Sequence, residues 1–386
     1  MIHSAFDCDI PKEVRSVYLD ISKAFDKVWH EGMIFKLKQV GVAGHMLAIL
    51  TDFLSDRFQR TTLNGKTSEW KPLEAGVPQG SVLGPLLFLL YINDLIDGMK
   101  SDARIFADDT SLFVVVDDPS TSYEILNHDL KLVEAWASQW HMSFNPDPNK
   151  PPIEIVFSTK TKPLVHKPLI FNGIEVKSEE EHKHLGLILD KKLNFSSHIG
   201  AQIKKANKGI GAIKFMSKYA PRSILEQVYK TNVRPHLEYC DIIFHQPPSE
   251  GHLATTKLSV QMDKIESVQI QAAYAVSGSW KGTSAKKVYE ELGWEWLSQR
   301  RWYRRMSTFF KIVNNLSPKY LTDCITFPNP PWISVYGREP PNVNNNILTP
   351  FSSRTIKFQS SFFPSCVFSW NRHLTYSQRN PANIDL

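Results

Sequence analysis

Apolar and polar positions alternate in short runs over the first half of the chain and change to helical spacing in the second. Val14 to Leu19 is a β-prone run that closes on Asp20, and a helix-like segment from Ser22 to Gln39 follows. A second helical pattern covers Ala48 to Phe53. Arg57 to Leu63 and Thr67 to Leu73 flank Asn64-Gly65, a dipeptide that suits the left-handed positions of a tight hairpin. Gly76-Val77-Pro78-Gln79-Gly80-Ser81 reads as a loop, after which Gly84-Pro85 opens an apolar helix to about Leu95. Ala103 to Ala107 and Thr110 to Val116 fold back on each other as a hairpin. Leu126, Leu130, Val133, Ala137 and Trp140 then recur at steps of four and three, one face of an amphipathic helix. Pro146, Pro148, Pro151 and Pro152 break that pattern, and Ile153 to Phe157 resumes as strand. The order strand, helix, hairpin, helix, strand predicts an α+β layer, an antiparallel sheet with helices on one face.

Another short hairpin is expected around Leu169 to Val176 and Leu185 to Leu189. From Ser196 the signal is helical, through Lys230 and again over Lys257 to Val276 and Ser284 to Asn315. Pro328 to Pro350 is rich in Pro and Asn and reads as a linker or extended arm. No internal repeat is visible. The 386 residues suit two or three domains, since a single core stops growing at roughly 250 to 300 residues.

Composition narrows the class. With 42% hydrophobic and 22% charged residues the profile is that of an ordinary globular chain. Cys8, Cys240, Cys324 and Cys366 are too far apart for a knuckle-type zinc site and read as thiols without a disulfide partner. Val82 to Ile96, the longest apolar stretch, contains Pro85, Asn93 and Asp94, and no secretory leader is read at the acidic N-terminus. The expectation is an intracellular protein, cytoplasmic or nuclear, without a membrane partner. The net charge of +6 is unevenly spread: Lys191 to Lys230 holds nine bases against the single acid Glu226. Lys191, Lys192, Lys204, Lys205, Lys208, Lys214 and Lys218 form the candidate nucleic-acid face, with a solvated helix surface as the plainer reading. Arg300, Arg301, Arg304 and Arg305 share a helical face with Trp302 and Tyr303. They suit either single-stranded nucleic acid or a core helix with solvated arginines.

Phe106-Ala107-Asp108-Asp109 is the feature that packing does not explain. Two like charges occupy the expected turn of a hairpin, and burying either costs free energy unless a cation or proton neutralises it. A solvated turn dipeptide is the competing reading. Asp20 at the end of the first strand would bring a third carboxylate to the same sheet edge. Two hard cations about 3.5 to 4 Å apart on such carboxylates suit phosphoryl transfer, and magnesium suits oxygen ligands.

The motifs then resemble a known family. Leu19-Asp20-Ile21-Ser22-Lys23-Ala24-Phe25-Asp26 looks like the first palm motif of reverse transcriptases of non-LTR, LINE-type retrotransposons. Gly76 to Pro85 resembles their second motif, Phe106 to Asp109 their third, and His184-Leu185-Gly186 their primer-gripping turn. Arg234-Pro235-His236-Leu237-Glu238-Tyr239 and Phe362-Phe363-Pro364 are similar to later segments of these elements. The resemblance implies a right-hand polymerase palm followed by a mostly helical thumb and C-terminal region. The implied boundaries are a palm over 1–160, a primer-grip hairpin region over 161–195, helical thumb and C-terminal helices over 196–327 and an arm over 328–386.

The implied activity is RNA-directed DNA polymerisation, with RNA template, DNA primer or target DNA and dNTPs as partners and two Mg2+ ions, or Mn2+ in their place, as cofactor. Asp20 and Asp108 would hold both ions and Asp109 would support them. Phe25 would lie under the sugar and exclude a 2′-hydroxyl, unless it is simply a core aromatic. Ile21, Gln79 and Gly80 would face the nucleotide or template base, and Lys150 would correspond to a lysine that protonates the leaving pyrophosphate. His184, Leu185 and Gly186 would grip the primer. In the family a fingers region precedes the first palm motif, whereas only 16 residues precede Val17. Endonuclease, RNase H and cysteine-knuckle segments are likewise not read. The expectation is a truncated copy with its carboxylates intact, and the alternative is a catalytically silent remnant that only binds nucleic acid.

Overall fold

In the computed structural model the sheet is built around a strand that is buried on both faces. The structure describes residues 1–144, 151–245, 257–280, 282–326 and 348–373. Lys150, Pro146, Pro148 and the stretch 328–347 expected to be an arm lie outside the described residues. The chain forms two compact units, Met1–Ala5 with Pro11–Gly186, and Phe6–Ile10 with Leu187–Leu386.

The first unit holds a five-stranded sheet. Its strands are β1 (Glu13–Asp20), β2 (Asp102–Phe106), β3 (Asp109–Val116), β4 (Ile153–Phe157) and β5 (Lys177–Ser178), in the order β5-β4-β1-β3-β2. Pairing is antiparallel except at the edge, where the two-residue β5 runs parallel to β4. The sheet is therefore mixed, not purely antiparallel as the alternation predicted; two residues gave too short a signal to read a direction.

Helices α1 (His30–Gln39), α2 (Gly44–Leu54), α3 (Leu83–Ile92) and α4 (Pro119–Gln139) complete this unit's helical layer. Val17 and Leu19 of β1 share one core with Leu112 and Val114 of β3, Phe88 of α3 and Leu126, Leu130 and Val133 of α4. Burying each such side chain contributes about 1.5–3 kcal/mol. The start of α4 is fixed locally, with Pro119 in its first turn and the Asp118 carboxylate accepting from Thr121 N at 2.9 Å. Glu13 and Arg15 point to the same side as Val17 by alternation and are fully buried, so each needs a partner. Arg15 Nε donates to Glu154 at 2.6 Å, while Glu13 accepts from Ser158, Leu164 N and His166.

The helix expected over Ser22 to Gln39 is broken. Only Ala24–Asp26 forms a 3-10 turn before α1 begins at His30. The Phe25 and Val28 carbonyls accept from Val77 N and Gly76 N, both at 2.8 Å, so they serve the 76–81 loop in place of helix bonds. The hairpin around Asn64-Gly65 is present as two short antiparallel pairs, Phe58–Gln59 with Lys71–Pro72 and Thr62–Leu63 with Lys66–Thr67.

The second unit is helical, with α5 (Ser196–Met216), α6 (Arg222–Asn232), α7 (Lys257–Ser277), α8 (Ala285–Leu292), α9 (Leu297–Val313) and α10 (Phe362–His373) as its longer helices. Ile199, Ala206, Ile210 and Ile213 are the buried stripe of α5. Among the described residues no helix is long and apolar enough to cross a membrane.

Candidate active site

Strand register brings three acidic residues to one end of the sheet. Asp20 is the last residue of β1 and Asp109 the first of β3, and their Cα atoms are direct partners. Ala107-Asp108 makes the turn from β2 into β3, with Ala107 at φ 51°. Asp109 thus lies in the strand, not in the turn where the sequence put it, and Asp108 alone is the turn carboxylate. Both are half-buried.

The electrostatics follow from this crowding. Burial pushes the Asp109 carboxyl above the usual carboxylate range, and the neighbouring charges of Asp108 and Asp20 push the same way, while His184 opposes them. Burial lowers the His184 imidazole, partly offset by Asp109. All three side chains offer hard oxygen donors, and their mutual repulsion is what a divalent cation relieves, so the donor chemistry fits Mg2+. Among the described residues, however, no group of three or more His, Cys, Asp or Glu side chains is drawn together as an ion's ligand set. Backbone register, not chelation, assembles the three carboxylates.

The 76–81 loop is tied to the segment that follows Asp20. Besides the two backbone bonds to Phe25 and Val28, His30 Nε2 lies 2.8 Å from the Gly76 carbonyl and Gln79 Nε2 donates to Asp26 Oδ1 at 2.7 Å. Gly76 has φ +97°, and a Cβ there would come within 2.9 Å of the Asp26 carbonyl oxygen. Gln79 and Gly80 are exposed, the latter at φ +86°. Phe25 is half-buried and stacks on Phe88 with ring centroids 4.6 Å apart, so it packs against the core as well as standing beside the loop. Ile21 is 2% exposed and packs in the core, which leaves its backbone as the part able to face a ligand.

A short strand, β6 (Glu181–His184), ends at a turn in which Leu185 and Gly186 both have positive φ, 46° and 83°. Two successive left-handed residues are what a type I′ turn requires. His182 of β6 stacks on Tyr18 of β1 and His184 tilts against it, with centroids 4.4 and 5.0 Å away. Neither Tyr18 nor His182 was read as a site residue from sequence. Their signal was alternation: Tyr18 lies two residues before Asp20, and His182 two before His184.

In the second unit the basic stretch divides. Lys204, Lys205, Lys208 and Lys214 are exposed on α5 away from its buried stripe, and Lys218 is exposed just beyond it. Lys191 and Lys192 lie instead in the turn before the helix, where Asp190 accepts from Lys192 N at 3.1 Å. Arg222 is engaged by Glu226 and Glu291. The four arginines of α9 fit neither earlier reading. Arg301 and Arg305 are buried at 2% and 4% exposure, and Arg305 donates to the Ile242 and His245 carbonyls and to Ser365. Arg300 and Arg304 pair with Glu238, and Arg304 also with Asp241 at 2.6 Å. Arg300, Arg304 and Arg305 are structural ties, while Arg301 is buried with its Nε and Nη1 lacking a hydrogen-bond partner. Sequence spacing showed a shared face but could not show the acids facing it.

Comparison with known proteins agrees with the motifs. Residues 4–150 match the family model described as reverse transcriptase (RNA-dependent DNA polymerase). The chain is 30% identical over 209 residues to the probable RNA-directed DNA polymerase from transposon BS of Drosophila melanogaster, covering 52% of this chain and 23% of that protein. It is 29% identical over 235 residues to the RNA-directed DNA polymerase from mobile element jockey of the same species, covering 58% and 25%. The chain spans about a quarter of the length of these curated relatives. The solved structure of telomerase from Candida albicans with a fragment of telomeric RNA superposes with a TM-score of 0.32 at 12% identity, over 84% of this chain and 52% of that one. Residues 4–150 thus match the reverse transcriptase family, and the relatives found are polymerases of Drosophila mobile elements, in keeping with a LINE-type, non-LTR element.

Proposed function

We propose that the Asp20, Asp108 and Asp109 edge is the nucleotidyl-transfer centre of an RNA-directed DNA polymerase. The observation that carries this reading is the Asp20–Asp109 register beside Asp108, next to a 76–81 loop hydrogen-bonded to the segment after Asp20. In the reaction the 3′-hydroxyl of a primer paired to RNA attacks the α-phosphate of a dNTP, forming the phosphodiester as the bond to pyrophosphate breaks. Asp20 and Asp108 would hold two Mg2+ ions, or Mn2+ in their place, with Asp109 in support; when bound, such ions supply charge stabilisation at the attacking and leaving oxygens.

The remaining roles belong to the chain's own groups. The first unit acts as palm and the helices after it as thumb. Gln79 and Gly80 meet the incoming nucleotide or template base at a loop whose glycine lets the backbone come close. Phe25 limits room at the sugar 2′ position, the backbone of Ile21 lines the same site, and His184-Leu185-Gly186 steadies the primer. Lys204, Lys205, Lys208, Lys214 and Lys218 neutralise nucleic-acid phosphates. Lys150 retains its expected role at the leaving pyrophosphate as a proposal only.

Primer extension on an RNA template with Mg2+ tests the reading. Incorporation by the wild-type chain above an Asp108→Ala, Asp109→Ala blank supports it, and its absence removes the enzymatic claim. A second reading, nucleic-acid binding without chemistry, draws on the exposed α5 lysines, which owe nothing to the carboxylates. It predicts salt-dependent binding that survives the double substitution together with no incorporation by the wild type.

A further inference from the structure

Alternation along β1 puts Tyr18 on the same face as Asp20, two residues before it. On β3 the same face carries Asp109, opposite Asp20, and Ser111, opposite Tyr18. Tyr18 is nevertheless only 4% exposed. What covers it is β6. The His182 ring stacks on Tyr18 at 4.4 Å with planes 30° apart, His184 tilts against it at 5.0 Å, and Phe113 closes it edge-on at 6.0 Å. His182 and His184, two apart on one strand, present both rings to one side with planes 30° apart.

This contact matters because β6 is four residues long and is not a strand of the five-stranded sheet. Glu179 N, just before β6, donates to the Glu154 carbonyl of β4 at 2.9 Å, and the His182 and His184 rings on Tyr18 are the side-chain contact that seats β6 itself against β1. The strand ends directly at the Leu185-Gly186 turn, and His184 lies within electrostatic reach of Asp109. A shift of β6 across the Tyr18 ring would carry the turn with it, relative to the carboxylates.

We propose that Tyr18 is a positioning residue, whose ring, held by His182 and His184, fixes the His184-Leu185-Gly186 turn near the Asp20–Asp109 end of the sheet and so sets where a primer 3′ end lies. The inference rests on the reading of that turn as the primer-holding element. Tyr18 acts through the turn and not on reacting atoms. The ring carries the effect, so the hydroxyl is dispensable and Tyr18→Phe keeps the function.

The full-length chain is tested with a primer carrying 4-thiothymidine at its 3′ end, annealed to RNA. Photo-cross-linked peptides are identified by mass spectrometry, and single-turnover extension is followed for rate and amplitude. Wild type and Tyr18→Phe are expected to cross-link within the peptide that contains residues 184–186 and to extend alike. Tyr18→Leu, which keeps apolar bulk but loses the stack, and His182→Ala are expected to lose that cross-link. Their extension rate falls about tenfold or more, as reacting atoms are misplaced by an ångström or so. Amplitude and melting midpoint stay near wild type, which a merely structural role would not allow. Should Tyr18→Leu fail to fold, the half-buried His182→Ala carries the same expectation. Folded variants with the wild-type cross-link and rate overturn the proposal. A wild type that cross-links without extending leaves the cross-link to decide it, while a wild type that does neither removes the primer-holding reading and this proposal with it.

Discussion

Asp20 and Asp109 are direct cross-strand partners, the last residue of β1 against the first of β3. Like charges in that arrangement destabilise a sheet, and Asp108 adds a third beside them. Without divalent ions, Asp109→Asn is therefore expected to melt at or slightly above the wild-type temperature. Mg2+ at ten times its Kd should raise wild-type stability by about 1.4 kcal/mol and raise the variant, which loses only the supporting carboxylate, by less. Thermal melts with and without Mg2+ check both halves. A variant that melts well below wild type in metal-free buffer would show that the pair is not repulsive.

Gly76 and Gly80 both have positive φ, yet they should respond differently to alanine. At Gly76 an added Cβ meets the Asp26 carbonyl at 2.9 Å, whereas at Gly80 nothing lies within 4 Å. Gly80→Ala then bears only the left-handed backbone cost, about 1–2 kcal/mol. Gly76→Ala adds a clash with the segment after Asp20 and should cost more, with a larger loss of any catalytic rate. Urea titrations of the two variants give the comparison, and equal midpoints would contradict it.

Much of this was legible because periodicity, turn chemistry and motif spacing agreed. The α4 stripe Leu126, Leu130, Val133 and Ala137 is buried as its spacing predicted, because a three-turn apolar pattern dominates its neighbourhood. Asn64 and Gly65 occupy left-handed positions, as that dipeptide favours. The break between Ser22 and α1 was hidden, since the Phe25 and Val28 carbonyls are taken by a loop some fifty residues further on. The α9 arginines were misread for the same reason: Glu238, Asp241 and Ser365, which engage them, are remote in sequence. Long-range polar partners leave no local pattern.

His245 should make the second unit sensitive to acid. Burial first, then the Arg301 and Arg305 charges, lower its pKa from 6.5 to about 3. Between those values the unfolded chain binds a proton that the folded chain refuses, so stability is lost as pH falls below 6.5. Near pH 4.5, two units below 6.5, the loss from this group is about 2.7 kcal/mol, taking 1.4 kcal/mol per unit. Comparing denaturation midpoints of wild type and His245→Phe from neutral pH to pH 4.5 tests it. The variant's slope should be shallower, and parallel slopes would rule His245 out.

Lys36 is a buried cation of the first unit held by several partners. Its ammonium pairs with Asp94, whose carboxylate also accepts from Trp136 Nε1 at 2.8 Å, and it lies 3.8 Å from the centre of the Trp140 ring. Removing the carboxylate strands a buried charge, so Asp94→Ala should cost about 2–3 kcal/mol, somewhat below a fully buried pair because Asp94 is partly exposed. Lys36→Met, which removes the charge and keeps the stem, should cost less. Chemical denaturation at neutral pH ranks the two, and the reverse order would contradict this account of the pair.

The central claim is that the Asp20, Asp108 and Asp109 edge performs nucleotidyl transfer, and single-nucleotide incorporation tests it most directly. The full chain is mixed with an RNA template, an annealed DNA primer, one labelled dNTP and Mg2+, beside Asp20→Asn and Asp108→Asn chains of matched melting temperature. The account predicts Mg2+-dependent extension by one nucleotide in the wild type and a loss of at least about a hundredfold in either variant. Extension that persists in both folded variants, or that is absent from the wild type, would contradict it.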